Sequence, residues 1–102
     1  MSGSRGRAMW LGGGARRALT AARALDDVVA DQLPLVSRLP EDSRRRGADY
    51  LAELVMLAQA YRHYAQGWIS RRELERKARQ TTDRLAEMRQ NRPIAAHLTE
   101  QD

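Results

Sequence analysis

Two apolar stripes with helical spacing constrain the fold of this chain more than any other feature. Within each stripe, successive apolar or small residues are three or four positions apart, the spacing of a helix that presents a narrow seam to a neighbouring helix. The pattern predicts an antiparallel helical hairpin between Tyr50 and Met88. The first stripe comprises Leu51, Leu54, Ala58, Tyr61, Ala65 and Trp68, and the second comprises Leu74, Ala78, Thr81, Leu85 and Met88.

The segment between the stripes carries turn signals of its own. Gly67 can adopt the left-handed backbone conformation that ends a helix. Glu73 follows Ser70 at the spacing of a capping box, in which the Ser70 hydroxyl accepts a hydrogen bond from the Glu73 N–H and the Glu73 carboxylate accepts one from the Ser70 N–H. These signals predict that one helix ends before Gly67 and the next begins after Ser70.

A third helix is predicted upstream, from Ala15 to Gln32. A connector from Leu33 to Pro40 follows, and Pro40-Glu41-Asp42 suits the start of the next helix. No segment has the alternating pattern of a strand. We therefore expect an all-α fold of three helices, the last two an antiparallel hairpin, with an extended N-terminal arm and a C-terminal tail. The stripe of the first helix comprises Ala18, Ala22, Leu25 and Val29.

The predicted organisation is an arm (1–14), a helical domain (15–94) and a tail (95–102). Three consecutive glycines end the arm and disfavour a helix there. Met9, Trp10 and Leu11 form an apolar group that could dock into a neighbouring subunit, because Trp is enriched at binding hot spots. Alternatively, Trp10 packs on the chain's own core. The first acidic residue is Asp26, so the N-terminal part also resembles a mitochondrial transit peptide.

Composition excludes several classes of site. The chain has 102 residues and no cysteine, which predicts one domain without disulfides, cysteine-based metal sites or cysteine nucleophiles. His63 and His97 lie on different predicted elements, so no metal site is expected in this chain. No Ser-His-Asp set or paired acids have usable spacing, and we expect the chain alone not to be catalytic. No apolar run could span a bilayer, and we expect a cytoplasmic protein with no membrane partner.

The formal net charge is +5, and 17 of the 18 basic residues are arginine. A basic balance suggests an acidic partner, including nucleic acid. Arg44, Arg45 and Arg46 form the densest basic cluster and are the candidate anion-binding residues. The alternative is that they form a solvated helix face, since arginine occurs on every predicted element. One functional hypothesis is thus a small basic helical protein that binds nucleic acid or a nucleoprotein complex.

A second hypothesis comes from a family resemblance. Three segments of the hairpin carry it: the helix start at Asp49-Tyr50, the turn Gly-Trp-Ile-Ser-Arg-Arg-Glu-Leu from Gly67 to Leu74, and the exit at Arg92-Pro93-Ile94. Together they resemble the helical N-terminal region of nitrile hydratase β subunits and of their small activator proteins. The family's upstream Trp and helix are similar to Trp10 and the helix after it. Two features depart from the family. Its paired aromatics and Trp in the first hairpin helix are replaced by Leu51, Ala52 and Val55, and its following β-barrel has no counterpart in this sequence.

The resemblance implies a partner role. In this family, cobalt or iron lies in a cysteine-containing α subunit, on a Cys-x-x-Cys-Ser-Cys loop with oxidised cysteines, and the β-type subunit wraps α. Some members, such as thiocyanate hydrolase, divide β into two chains, which implies a separate β-barrel subunit as a further partner. This chain would then be the N-terminal half of a β-type subunit, or an activator, in a complex that hydrates a nitrile to an amide. It would hold no cofactor itself.

The resemblance also implies which residues act. Arg38 lies in roughly the segment from which family β subunits place an arginine against the oxidised cysteines, and an arginine fork suits a sulfinate oxygen pair. A third hypothesis, a homodimeric helical bundle with no ligand, is also compatible with the seam pattern. The candidate partner-binding residues are Met9, Trp10, Leu11, Tyr61, Trp68 and Ile94.

Overall fold

The computed structural model describes the backbone of residues 2–90 and the side chains of residues 13–90. This part of the chain forms three α-helices and contains no strand: α1 (Ser2–Val36), α2 (Glu41–Ala65) and α3 (Arg71–Gln90). The predicted all-α fold with a hairpin of the last two helices is confirmed. The predicted helix exit at Asn91-Arg92-Pro93 and the tail lie outside the described residues.

α2 is the central helix, because it packs against both α1 and α3. The contacts with α1 include an ion pair between Asp26 Oδ2 and Arg62 Nη1 at 2.8 Å. The contacts with α3 include an ion pair between Glu53 Oε2 and Arg84 Nη1 at 3.1 Å. The chain therefore contains two helical hairpins that share α2, whereas the sequence pattern predicted only the second.

The core consists mostly of small side chains. Burial is confirmed for five residues of the two predicted stripes: Leu51, Leu54 and Ala58 of α2 and Leu74 and Thr81 of α3. Alanines let helix backbones approach closely, but each buries little apolar area, and stabilisation scales with that area at roughly 25 cal/mol per Å². The fold thus rests on close helix packing around a thin core. The buried apolar residues are Ala18, Ala22, Leu51, Leu54, Ala58, Ala60 and Leu74.

The turn between α2 and α3 is a Schellman motif. Gly67 has a φ of 80°, as predicted from its freedom to adopt the left-handed conformation. Its N–H donates to the Tyr64 carbonyl at 2.9 Å, and the Trp68 N–H donates to the His63 carbonyl at 2.8 Å. These two hydrogen bonds satisfy carbonyl groups that the end of α2 would otherwise leave unpaired.

The start of α3 contains half of the predicted capping box. The Glu73 N–H donates to Ser70 Oγ at 3.0 Å, as predicted. The Glu73 carboxylate forms an ion pair with Arg76 at 3.4 Å instead of returning to Ser70. Ser70 therefore caps the helix alone, and Glu73 contributes to the exposed charge network of α3.

Trp68 does not lie in the seam to which its spacing assigned it. α2 ends at Ala65, so the helical period that relates Trp68 to Ala65 stops before Trp68 is reached. The side chain is 69% exposed. The prediction of burial at this position was wrong, because the Schellman turn redirects the chain.

α1 is longer than the sequence predicted. It begins at Ser2 rather than Ala15 and continues to Val36 through Pro34. Gly14 is accommodated because its missing side chain leaves room for Tyr64: a Cβ at Gly14 would lie 3.3 Å from Tyr64 Oη. Pro34 lies in the last turn, where the Ser37 hydroxyl donates to the Pro34 carbonyl at 2.8 Å and helps to end the helix.

Candidate binding surfaces

Trp68 is a large exposed apolar side chain at the α2–α3 turn. Its indole contacts the His63 imidazole, with ring centroids 5.2 Å apart and an interplanar angle of 39°. Trp68 follows the left-handed glycine, and His63 is the third residue from the end of α2. A Schellman motif commonly brings the side chains at these two positions into contact. One face of Trp68 thus rests on the chain, while 69% of the residue stays available to a partner.

Tyr61, a second candidate partner-binding residue, lines a cleft where the three helices meet. The cleft has a volume of about 530 Å³. Tyr61 and Tyr64 contribute from α2, and both are half-buried. Arg71 at the start of α3 is paired with Glu75 at 3.5 Å, so this cation is already partly neutralised. The lining residues are Gly14, Arg17, Ala18, Ala21, Tyr61, Tyr64, Arg71, Leu74 and Glu75.

The basic candidates lie at the other end of α2. Arg38 is exposed in the turn between α1 and α2, and its N–H donates to the Leu35 carbonyl at 3.2 Å. Arg44, Arg45 and Arg46 are exposed on the first turns of α2. Arg45 pairs with Glu41 at 3.4 Å, and Arg46 donates to Ser43 Oγ at 3.3 Å. A helix the length of α2 spans roughly 37 Å, so the structure separates this cluster from Trp68 and Tyr61.

The remaining candidates fall outside the described side chains. Met9, Trp10 and Leu11 lie within the backbone of α1, but the structure describes side chains only from residue 13. Ile94 lies outside the described residues altogether. The hypothesis that these residues form anchors stays a prediction.

An internal ion pair escaped the sequence reasoning. Glu53 is buried within α2, and its carboxylate accepts a hydrogen bond from Arg84 of α3 at 3.1 Å. The sequence signal was present, because Glu53 is the one charged residue in an otherwise apolar stretch from Leu51 to Leu57. A carboxylate at a core position needs a charged or hydrogen-bonding partner, but the sequence does not reveal which of the many arginines supplies it.

Two further findings concern the described part of the chain. Among the side chains of residues 13–90, no three His, Cys, Asp or Glu residues come together as metal ligands would. Among the described helices, none combines the length and the apolar character needed to cross a membrane.

Comparison of the chain with family models, with curated proteins and with solved structures found no match.

Proposed function

We propose that this chain is a non-catalytic helical subunit, either the N-terminal half of a β-type subunit or an activator, of a nitrile hydratase-type complex. The partner would be a cysteine-containing α-type subunit that holds cobalt or iron, with a separate β-barrel subunit as a further component. The sequence of the turn from Gly67 to Leu74 supports this family relationship, since it combines a helix end, an apolar pair and a helix start at the family's spacing.

The observation that carries the partner role is the exposure of Trp68. Tryptophan has a large apolar surface, and leaving 69% of the residue in water is unfavourable unless a partner covers it. The Schellman turn fixes the backbone on either side of this residue, which reduces the conformational entropy lost on binding. Trp68 is therefore a preorganised anchor for a protein partner.

Arg38 would act on the partner rather than within this chain. Its side chain is exposed in the α1–α2 turn, and no acidic side chain among residues 13–90 lies within 4.0 Å of it. A guanidinium group available in this way can donate two parallel hydrogen bonds to a sulfinate. In this proposal Arg38 orients the oxidised cysteines of the α-type subunit and does not itself react.

Co-expression with a candidate α-type protein carrying Cys-x-x-Cys-Ser-Cys tests this proposal. We expect the tagged chain to co-elute with that protein and with cobalt or iron. Trp68→Ala should lower the affinity for the partner by about tenfold or more, the effect of losing a binding hot spot. Met56→Ala is the matched control, because Met56 is also large, apolar and 53% exposed on α2.

Two outcomes would contradict the proposal: no co-elution under any salt condition, or equal losses for Trp68→Ala and Met56→Ala. Circular dichroism of each variant checks that the helices remain intact, since Trp68 also contacts His63 at the end of α2.

The exposed basic cluster favours a second candidate function, binding to nucleic acid or a nucleoprotein. Arg44 and Arg38 have no acidic side chain within 4.0 Å among residues 13–90, so their charge is available to phosphates. This function predicts that the affinity for duplex DNA falls steeply as salt rises from about 50 to 200 mM, because phosphate contacts release counterions. Replacing Arg44, Arg45 and Arg46 with alanine should reduce that salt dependence, and unchanged binding would count against it.

A further inference from the structure

The α1–α2 hairpin has two long edges, and α3 packs on α2 at one of them. On that edge, the Glu53 carboxylate of α2 pairs with Arg84 of α3. At the cleft, Arg17 and Ala21 of α1 lie beside Leu74 of α3. α3 therefore packs on the side of the hairpin marked by these residues.

The opposite edge carries exposed apolar side chains. Leu19 lies two residues from both Arg17 and Ala21, and Val55 lies two residues from Glu53. Residues two positions apart on a helix do not share a face, so Leu19 and Val55 point away from α3. Leu19 is 48% exposed and Val55 is 43% exposed.

Two rows of residues with seven-residue spacing run along this edge. On α1 the row is Leu19, Asp26 and Leu33; on α2 it is Ala48, Val55 and Arg62. Residues seven apart lie on the same face of a helix. The ion pair between Asp26 and Arg62, at 2.8 Å, holds the two rows side by side. We call these six residues the open edge.

The apolar side chains of the open edge form its floor and lie on both sides of its central ion pair. Leu33, at 54% exposure, extends the floor on α1 beyond the central ion pair. Three large apolar residues and one alanine thus flank a pair of charges that already satisfy each other. In a helix bundle, one helix packs into the groove between two others, against apolar residues that recur along both. The open edge has apolar residues on both α1 and α2 in this way.

The rim of the open edge is basic. Arg16 lies three residues before Leu19, and Arg23 lies four residues after it. Arg44 lies four residues before Ala48. Residues at these spacings are neighbours on a helix surface. No acidic side chain among residues 13–90 is within 4.0 Å of these three arginines. On α1, the negative charge of Asp27, four residues after Arg23, partly offsets the charge of the rim. On α2, Glu41 is paired with Arg45.

We propose that the open edge binds an amphipathic helix of a partner protein with an apolar face and acidic flanks. The apolar rows accept the apolar face, and Arg16, Arg23 and Arg44 attract the acidic flanks. A second copy of this chain is a poorer occupant, because a two-fold contact would bring the same basic rim against itself. The proposal is independent of the nitrile hydratase relationship and stands whether or not that relationship holds.

Fluorescence anisotropy with a defined peptide probe tests this inference on the full chain. The probe is a labelled peptide of three heptads with Leu at the a and d positions and Glu at e and g. A second probe has Lys in place of Glu. We expect the acidic probe to bind at least about tenfold more tightly than the basic one, because the rim selects by charge.

Matched substitutions locate the binding surface. Leu33→Glu and Val55→Glu should each weaken binding of the acidic probe by about tenfold or more, because each introduces an unpaired charge into the apolar floor. Leu35→Glu is the control: Leu35 is as exposed as Leu33, at 54%, and lies two residues further along α1 on another face. Its effect should stay within about twofold, a difference of well under 1 kcal/mol.

Several outcomes would overturn the inference. These are no binding of the acidic probe, equal binding of the basic probe, or equal weakening by Leu35→Glu and Leu33→Glu. A dimer in sedimentation that Val55→Glu dissociates would assign the open edge to a second copy of the chain. Helical circular dichroism unchanged in every variant excludes unfolding as the cause of a loss.

Discussion

At the scale of single residues, the glycines of the helices differ in what surrounds them. A Cβ at Gly47 would lie 2.9 Å from Val36 Cγ1 and 3.0 Å from Cγ2. Val36 is β-branched and has little freedom to turn away inside a helix. A Cβ at Gly13 would lie 3.7 Å from the end of the flexible Arg17 side chain, an ordinary contact. Gly47 therefore permits the close approach of α1 and α2, whereas Gly13 has no such role.

This difference predicts opposite effects of one substitution. Gly47→Ala should lower the free energy of unfolding by about 1 kcal/mol. Overpacking against Val36 costs about 1–3 kcal/mol, and the higher helix propensity of alanine offsets about 1 kcal/mol of that cost. Gly13→Ala should raise it by up to about 1 kcal/mol through propensity alone. Urea denaturation followed by circular dichroism measures both. If Gly47→Ala stabilised the protein as much as Gly13→Ala, the packing of Val36 on Gly47 would be wrong.

At the scale of helices, the α2–α3 contact combines an apolar seam with one cross-helix ion pair. The Glu53 side chain is 10% exposed and that of Arg84 is 58% exposed. Removing Arg84 leaves a buried carboxylate without its partner, which is more costly than breaking an exposed pair. The exposure of Arg84 limits this cost, because water screens the guanidinium side of the interaction.

A double-mutant cycle on this pair measures its contribution to the hairpin. Glu53→Ala and Arg84→Ala should show a coupling energy of about 1 kcal/mol in chemical denaturation. The same cycle on Arg71 and Glu75, an exposed pair within α3, is the control and should give no more than about 0.5 kcal/mol. Equal coupling in the two cycles would mean that burial of Glu53 does not strengthen its pair.

Sequence reasoning succeeded at this scale wherever the signal was local. Gly67 and Ser70 were predicted correctly, because each acts on backbone groups no more than four residues away. The burial of Leu54, Ala58 and Leu74 followed from helical spacing within one element. Trp68 was assigned incorrectly, because the spacing was extended past the end of α2. The Glu53–Arg84 pair joins residues 31 positions apart, and no local pattern specifies such a partner.

At the scale of the whole molecule, the central position of α2 decides which surfaces are available. α1 and α3 both pack on α2, so α2 supplies side chains to two helix interfaces and to the open edge. The sequence predicted the stripe of α1 but not its packing along α2, because a stripe specifies that a face is buried without specifying what buries it. For the same reason the open edge could not be predicted before the position of α3 was known.

The two ends of α2 each carry a candidate partner-contact residue. Trp68 is exposed at one end, and Arg38 is exposed at the other beside the exposed side chains of Leu35 and Leu39. A complex that engaged both ends would bury the helical hairpin along its whole length, which suits a subunit with a thin core that gains stability from assembly. The proposed partner role thus agrees with the small size of the side chains in the core.

Isolation of the tagged chain from its native cell extract tests the partner role most directly, with mass spectrometry and metal analysis of the eluate. We expect a stoichiometric protein partner that carries Cys-x-x-Cys-Ser-Cys together with cobalt or iron. Trp68→Ala should abolish its recovery, and Met56→Ala should not. Recovery of the chain alone, or with nucleic acid as its main companion, would contradict the partner role.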